Sequence, residues 1–92
     1  MFEWDEKKNE CNIQKHGIDF KYILSIFDDK HQTIIIDNRK DYGEIREIIF
    51  GIVETQQKYI FCVVFTRSLK AIRIISARVA SKEETSLYYA NY

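Results

Sequence analysis

The stretch Tyr59–Arg78, YIFCVVFTRSLKAIRIISAR, decides how this chain folds. It holds two apolar runs rich in β-branched and aromatic residues, joined by the short polar linker Ser68-Leu69-Lys70, a pattern that predicts two strands of a hairpin. Strand side chains alternate, so Tyr59, Phe61, Val63 and Phe65 face one way and Ile60, Cys62 and Val64 the other. Both faces are apolar, which requires a central strand covered on both sides. Arg67, Arg73 and Arg78 lie in or beside these runs. A buried guanidinium costs several kcal/mol unless it reaches water or an anion, so these side chains are expected to face a pocket or groove.

The rest of the chain is read outward from that pair. Ninety-two residues form one domain over 1–92, and a chain of this size buries only about two-thirds of its unfolded surface, so a second core does not fit. The net charge of zero hides a division: residues 1–57 carry 8 basic and 12 acidic side chains, residues 58–92 carry 6 and 2. From Arg67 to Lys82 there are cations at Arg67, Lys70, Arg73, Arg78 and Lys82 and no acid, a local field that attracts phosphates. Cys11 and Cys62 have neither CxxC nor Cys/His spacing, which reads as reduced thiols in a cytoplasm and no zinc. No apolar run approaches the ~20 residues of a membrane span, and MFEWDEKKNE is too acidic for a secretion signal.

Phe2-Glu3-Trp4 alternates as a short strand, and Asp5 caps a polar helix over 6–16 that ends at Gly17. Asp19 caps a second predicted helix, with Phe20, Ile23, Leu24 and Phe27 at i, i+3, i+4, i+7, which stops at Asp28-Asp29-Lys30. Strands are predicted at Thr33–Asp37 and Glu44–Val53, the latter with a bulge or close backbone approach at Gly51, followed by a turn over Glu54–Lys58. Ser81-Lys82-Glu83-Glu84 is a capping box opening a helix over 82–90. The predicted class is α+β in the order β-α-α-β-β-β-β-α, an antiparallel meander with the helices packed on one face.

Several chemistries lack their residues. Only Gly17, Gly43 and Gly51 are glycines, so no phosphate-cradling loop or nucleotide-cofactor motif exists, and His16 and His31 are isolated from each other, which leaves no predicted metal site. The arginines are the stronger signal. A guanidinium holds a phosphate through two donors and stays charged, so three around one strand pair suit a scissile phosphodiester and the extra charge of its transition state. Candidate bases are Glu44, Glu47, His16 and Lys15, and Tyr88 or Tyr89 offer stacking surfaces. Glu44 with Arg46 also fits a plain ion pair, and the tyrosines also fit core packing.

FEWDEKKNECNIQKHGIDF at 2–20, EIREIIFG at 44–51, VVFTR at 63–67 and IRIISARVASKEE at 72–84 together resemble the BrnT family, over residues 2 to about 88. These are small ribonuclease toxins of bacterial type II toxin–antitoxin modules. The resemblance implies a RelE-like fold, metal-independent endoribonuclease activity without cofactor, and neutralisation by a BrnA-like ribbon-helix-helix antitoxin in a two-plus-two complex that represses its own operon. Operator DNA is then met only through the antitoxin. The arginines closing VVFTR and S-x-R fall on Arg67 and Arg78 as catalytic candidates. Lys15, His16, Glu44, Arg46, Lys70 and Arg73 stand second, for RNA binding or structure. The same residues also fit a non-catalytic basic binding module, or a RelE-fold toxin directed at a protein such as gyrase.

Overall fold

The computed structural model describes residues 1–92. Five strands form one sheet in the order β1-β5-β4-β3-β2: β1 Phe2–Trp4, β2 Thr33–Asp37, β3 Arg46–Val53, β4 Gln56–Arg67 and β5 Ile72–Val79. The last four make the expected antiparallel meander. The sheet is nevertheless mixed, because β1 adds to the far side of β5 in parallel, Phe2 opposite Ile72 and Trp4 opposite Ile74. The β3–β4 turn is shorter than predicted: Gln56 already pairs with Val53, so only Glu54 and Thr55 turn.

Alternation along β4 gives the single domain an apolar cluster on each face of its sheet, which corrects the expectation that a second core does not fit. Phe61, Val63 and Phe65 pack on the first face with Ile49, Val53, Ile74, Ala77 and the segment carrying Phe20, Ile23 and Ile26. Ile60, Cys62 and Val64 pack on the second with Ile48, Phe50 and Tyr88 of helix α2, Lys82–Ala90. The expectation that all helices share one face is therefore corrected. A strand dry on both sides needs two covers, and α2 is the second.

Helix α1, Glu6–His16, has the predicted ends: Asp5 accepts from the amides of Lys7 and Lys8, and Gly17 closes it at φ 72°. The predicted second helix is instead two 3₁₀ segments, Phe20–Tyr22 and Leu24–Asp28, meeting at Ile23. The buried residues Phe20, Ile23 and Ile26 recur every three positions, the 3₁₀ repeat, whereas Leu24 and Phe27 are only partly buried.

Two side chains tie these layers to the sheet. Past β1 the outer edge of β5 has no strand beside it, and the Asn12 amide takes that place. It donates to the Ala77 carbonyl at 2.8 Å and accepts from the Ala77 amide at 3.1 Å, as a neighbouring backbone would. Asp29, after the second 3₁₀ segment, accepts from the Tyr88 hydroxyl of α2 at 2.7 Å and from the amides of Ile52 and His31. Burial acts to raise the Asp29 carboxyl, but these donors hold it below its ordinary value. Burial and the neighbouring Asp29 carboxylate push the Tyr88 phenol up. The β3–β4 register shifts just past Gly51, with the extra residues on β4, and a Cβ at Gly51 would stand 2.9 Å from both Asp29 Oδ2 and Ile26 Cγ1.

Two stability changes are expected in urea unfolding. Asn12→Ala leaves a buried amide and carbonyl unpaired and lowers stability by about 2–4 kcal/mol, seen as a lower midpoint at unchanged slope. Gly51→Ala forces Asp29 or Ile26 to move and costs about 1–3 kcal/mol.

Candidate functional site

The second face of the sheet is covered only in part. Cross-strand register arranges it in three rows. Thr33, Phe50, Cys62 and Arg78 form the row next to α2; Ile35, Ile48, Val64 and Ser76 form the middle row. The third row, at the far end, carries Asp37 and Arg46 on one side and Thr66 and Arg73 on the other. Cys62 and Thr66 are four residues apart on β4, so the two outer rows are separated by about 13 Å of backbone.

Arg73 and Arg78 differ in parity and in a regular strand would point to opposite faces. They share a face because β5 bulges: Val64 is opposite Ser76 and Phe65 opposite Ile74, so Ile75 is the extra residue and resets the alternation. Ile75 then packs against the second core.

Each guanidinium on this face is held by a carboxylate. Arg78 donates from Nη1 to Glu84 Oε1 at 2.7 Å and from Nη2 to Glu84 Oε2 at 2.9 Å. Glu84 also accepts from the Ser81 amide in the observed capping box, so α2's own N-terminus aims Arg78. At the open end Glu44 bridges two arginines: Arg46 Nε reaches Oε2 at 3.0 Å and Arg73 Nη2 reaches Oε1 at 2.9 Å. Arg46 also lies over the Tyr42 ring, 4.0 Å from its centre. Arg39 bonds Asp37 through Nε at 2.7 Å and Nη2 at 2.8 Å, with the Tyr42 hydroxyl on the same carboxylate. The Asp37 side chain is fully buried while Arg39 is 61% exposed, an arrangement that fixes the guanidinium and presents it to solvent.

The Arg78 guanidinium holds the Glu84 carboxyl down to about 2, and Arg39 holds Asp37 at about 2. Both stay ionised at neutral pH. Burial pushes the Cys62 thiol up to about 11, which leaves it protonated and unsuited as a nucleophile. A hollow of about 310 Å³ lies between Arg39, Ile35, Phe50, Glu84 and Leu87.

The predicted residues separate in space. Arg78, Arg73, Arg46 and Glu44 come together on the second face. Arg67 does not join them: it follows Phe65 in alternation on the first face, where it bonds Glu47 at 2.6 and 2.9 Å. The expectation that Arg67 and Arg78 open on one cavity is corrected, since Arg67 lies five positions along β4 from Cys62, the partner of Arg78, and an odd offset changes the face. Lys70 lies exposed in the hairpin turn. Lys15 and His16 line a separate groove along α1. Asp37, Arg39, Tyr42 and the Arg78 contact of Glu84 were not foreseen. The D-x-R spacing of Asp37 and Arg39 at a strand end was their sequence signal, masked by the charged turn around it. No three His, Cys, Asp or Glu side chains cluster as metal ligands, and no helix is long and apolar enough to cross a membrane.

The family described as "Ribonuclease toxin, BrnT, of type II toxin-antitoxin system" matches residues 4–84. The 1.1 Å crystal structure of the Brucella abortus ribonuclease toxin, BrnT, is similar to this chain at a TM-score of 0.58 and 29% identity, covering 89% of this chain and 99% of that one. No curated protein is significantly similar in sequence.

Glu84 and Asp37 give the fold an acid limit. Their ordinary values are 4.5 and 3.8 and their folded values are lower, so their contribution is complete above about pH 5 and is lost as pH falls toward 2. Thermal unfolding of the wild type is expected to weaken steadily across that window. In Glu84→Gln, less stable at neutral pH, the fall is shallower.

Proposed function

This chain belongs to the BrnT family of ribonuclease toxins from type II toxin–antitoxin systems, and on that premise we propose that the second sheet face is its cleavage centre. The observation that carries this reading is the convergence of Arg46 and Arg73 on Glu44, on the same face as Arg78 held by Glu84. Arg78 and Arg39 hold the scissile phosphate, and Arg46 and Arg73 hold the adjoining sugar–phosphate link. The 2′-hydroxyl attacks phosphorus and gives its proton to solvent, the bond from phosphorus to the 5′-oxygen breaks, and that oxygen takes a proton from solvent. The products are a 2′,3′-cyclic phosphate and a 5′-hydroxyl. The guanidinium groups stabilise the charge of the pentavalent state and are already oriented when RNA arrives. No step requires a metal ion.

The remaining assignments follow the family likeness. The partner is a BrnA-like ribbon-helix-helix antitoxin, bound two-plus-two, and the complex represses its own operon through the antitoxin's contacts with DNA. The site of action is the cytoplasm. Arg67 and Lys70 stand outside this centre.

RNA cleavage by purified protein in EDTA is expected to yield cyclic-phosphate ends, with an all-DNA copy left intact. Arg78→Ala is expected to lower the rate by about 10²–10³-fold, the loss typical of one oriented donor to a developing oxyanion. Loss of activity in EDTA refutes the metal-free mechanism. Equal losses in Arg67→Ala and Arg78→Ala return Arg67 to the centre. Inhibition of a topoisomerase with RNA untouched moves the target to a protein.

A further inference from the structure

All five arginines of the chain are paired with carboxylates. The lysines are not, and among the basic residues of α1 no salt bridge engages Lys7, Lys8, Lys15 or His16. These four line a groove of about 390 Å³ between α1 and β5, with Cys11 on its wall and Ser76 and Ile75 on its floor. The one acid there, Asp5, is committed to the amides of Lys7 and Lys8 as the helix cap.

The sequence of α1 segregates charge around its axis. At 100° per residue, Lys7, Cys11, Lys15 and Lys8 fall within about 100° of arc, and Glu6 and Glu10 fall on the opposite flank. Asn9 and Asn12 are its buried residues, bonded to Asp19, Phe20, Ile18 and Ala77, so the helix cannot roll. Three unpaired lysines are therefore gathered in one groove whose single acid is already committed. That groove opens onto the cleavage face, because Ile75 and Ser76 belong to both and sit between Arg73 and Arg78 on β5.

We infer that the α1–β5 groove is a binding track for the phosphates of single-stranded RNA flanking the cleaved link. Lys8 and Lys15 lie about 10 Å apart along the helix at 1.5 Å per residue, so the track meets more than one phosphate. Ser76 supplies a neutral donor, and Ile75 an apolar surface for a ribose or base. An acidic polypeptide offers the same charges without a use for the connection to the arginine face. The inference rests on the ribonuclease reading for its biological ligand, but its test does not depend on cleavage.

The probe is a fluorescent 12-nucleotide RNA with 2′-O-methyl riboses, which cannot be cleaved. Its binding to the full chain is measured by anisotropy from 50 to 200 mM salt. The triple variant Lys7→Gln, Lys8→Gln, Lys15→Gln is expected to bind at least about tenfold more weakly, and its log Kd against log salt slope is expected to fall by about 2, at about 0.7 per cation on a single strand. A control with the same charge removed elsewhere, Lys21→Gln, Lys30→Gln, Lys58→Gln, is expected to keep the wild-type slope. Equal effects in both variants, or wild-type binding by the first, overturn the track. So does loss of poly-glutamate binding with RNA binding intact. Wild type that binds the probe with the expected slope yet never cleaves ordinary RNA overturns the nuclease reading and leaves the track standing.

Discussion

Everything in this structure follows from a central strand that must be dry on both sides. Ile60–Phe65 of β4 places apolar side chains on each face, and all six are buried. Ninety-two residues cannot supply two full covering layers. The first face receives the larger core, closed by the two 3₁₀ segments. The second receives one helix of nine residues, anchored through Tyr88. Its far row is left to Thr66 and paired arginines, side chains that tolerate water. The candidate site is the part of the sheet that the chain was too short to cover.

A small core held this way depends on polar links between layers. The Asp29 carboxylate joins the second 3₁₀ segment, β3 at Ile52 and α2, and Asn12 joins α1 to the edge of β5. Each replaces a backbone partner that the topology does not provide, and a buried amide or carbonyl left alone is costly. Glu84 serves folding and site at once, closing the N-terminus of α2 while holding Arg78. The placement of Arg78 and the docking of α2 are coupled through that one side chain.

The charges divide into two populations with different surroundings. The arginines are immobilised by carboxylates, which lowers their net field but fixes their forks. The α1 lysines keep their full charge in an open groove and are held by nothing but the helix. Fixed donors suit a charge that develops at one atom, and unpaired ammonium groups suit attraction of a polyanion irrespective of sequence.

The sequence by itself determined the strands, the caps and the class of fold. Asp5, Gly17 and the Ser81 capping box act within a few residues, and alternation in β4 is a local property, so each was legible before any contact was known. The close approach at Gly51 was legible too, as a glycine inside an apolar strand. Tertiary structure alone decided which face each helix took, that β1 returns parallel to β5, and that Phe20, Ile23 and Ile26 align at a spacing of three. It also decided the site. A single bulge at Ile75 brings Arg73 and Arg78 to one face, and regular alternation sends Arg67 to the other. The physical reason is that a strand's period of two makes every later side chain change sides when one residue is added, and where that residue bulges is set by the partner strand.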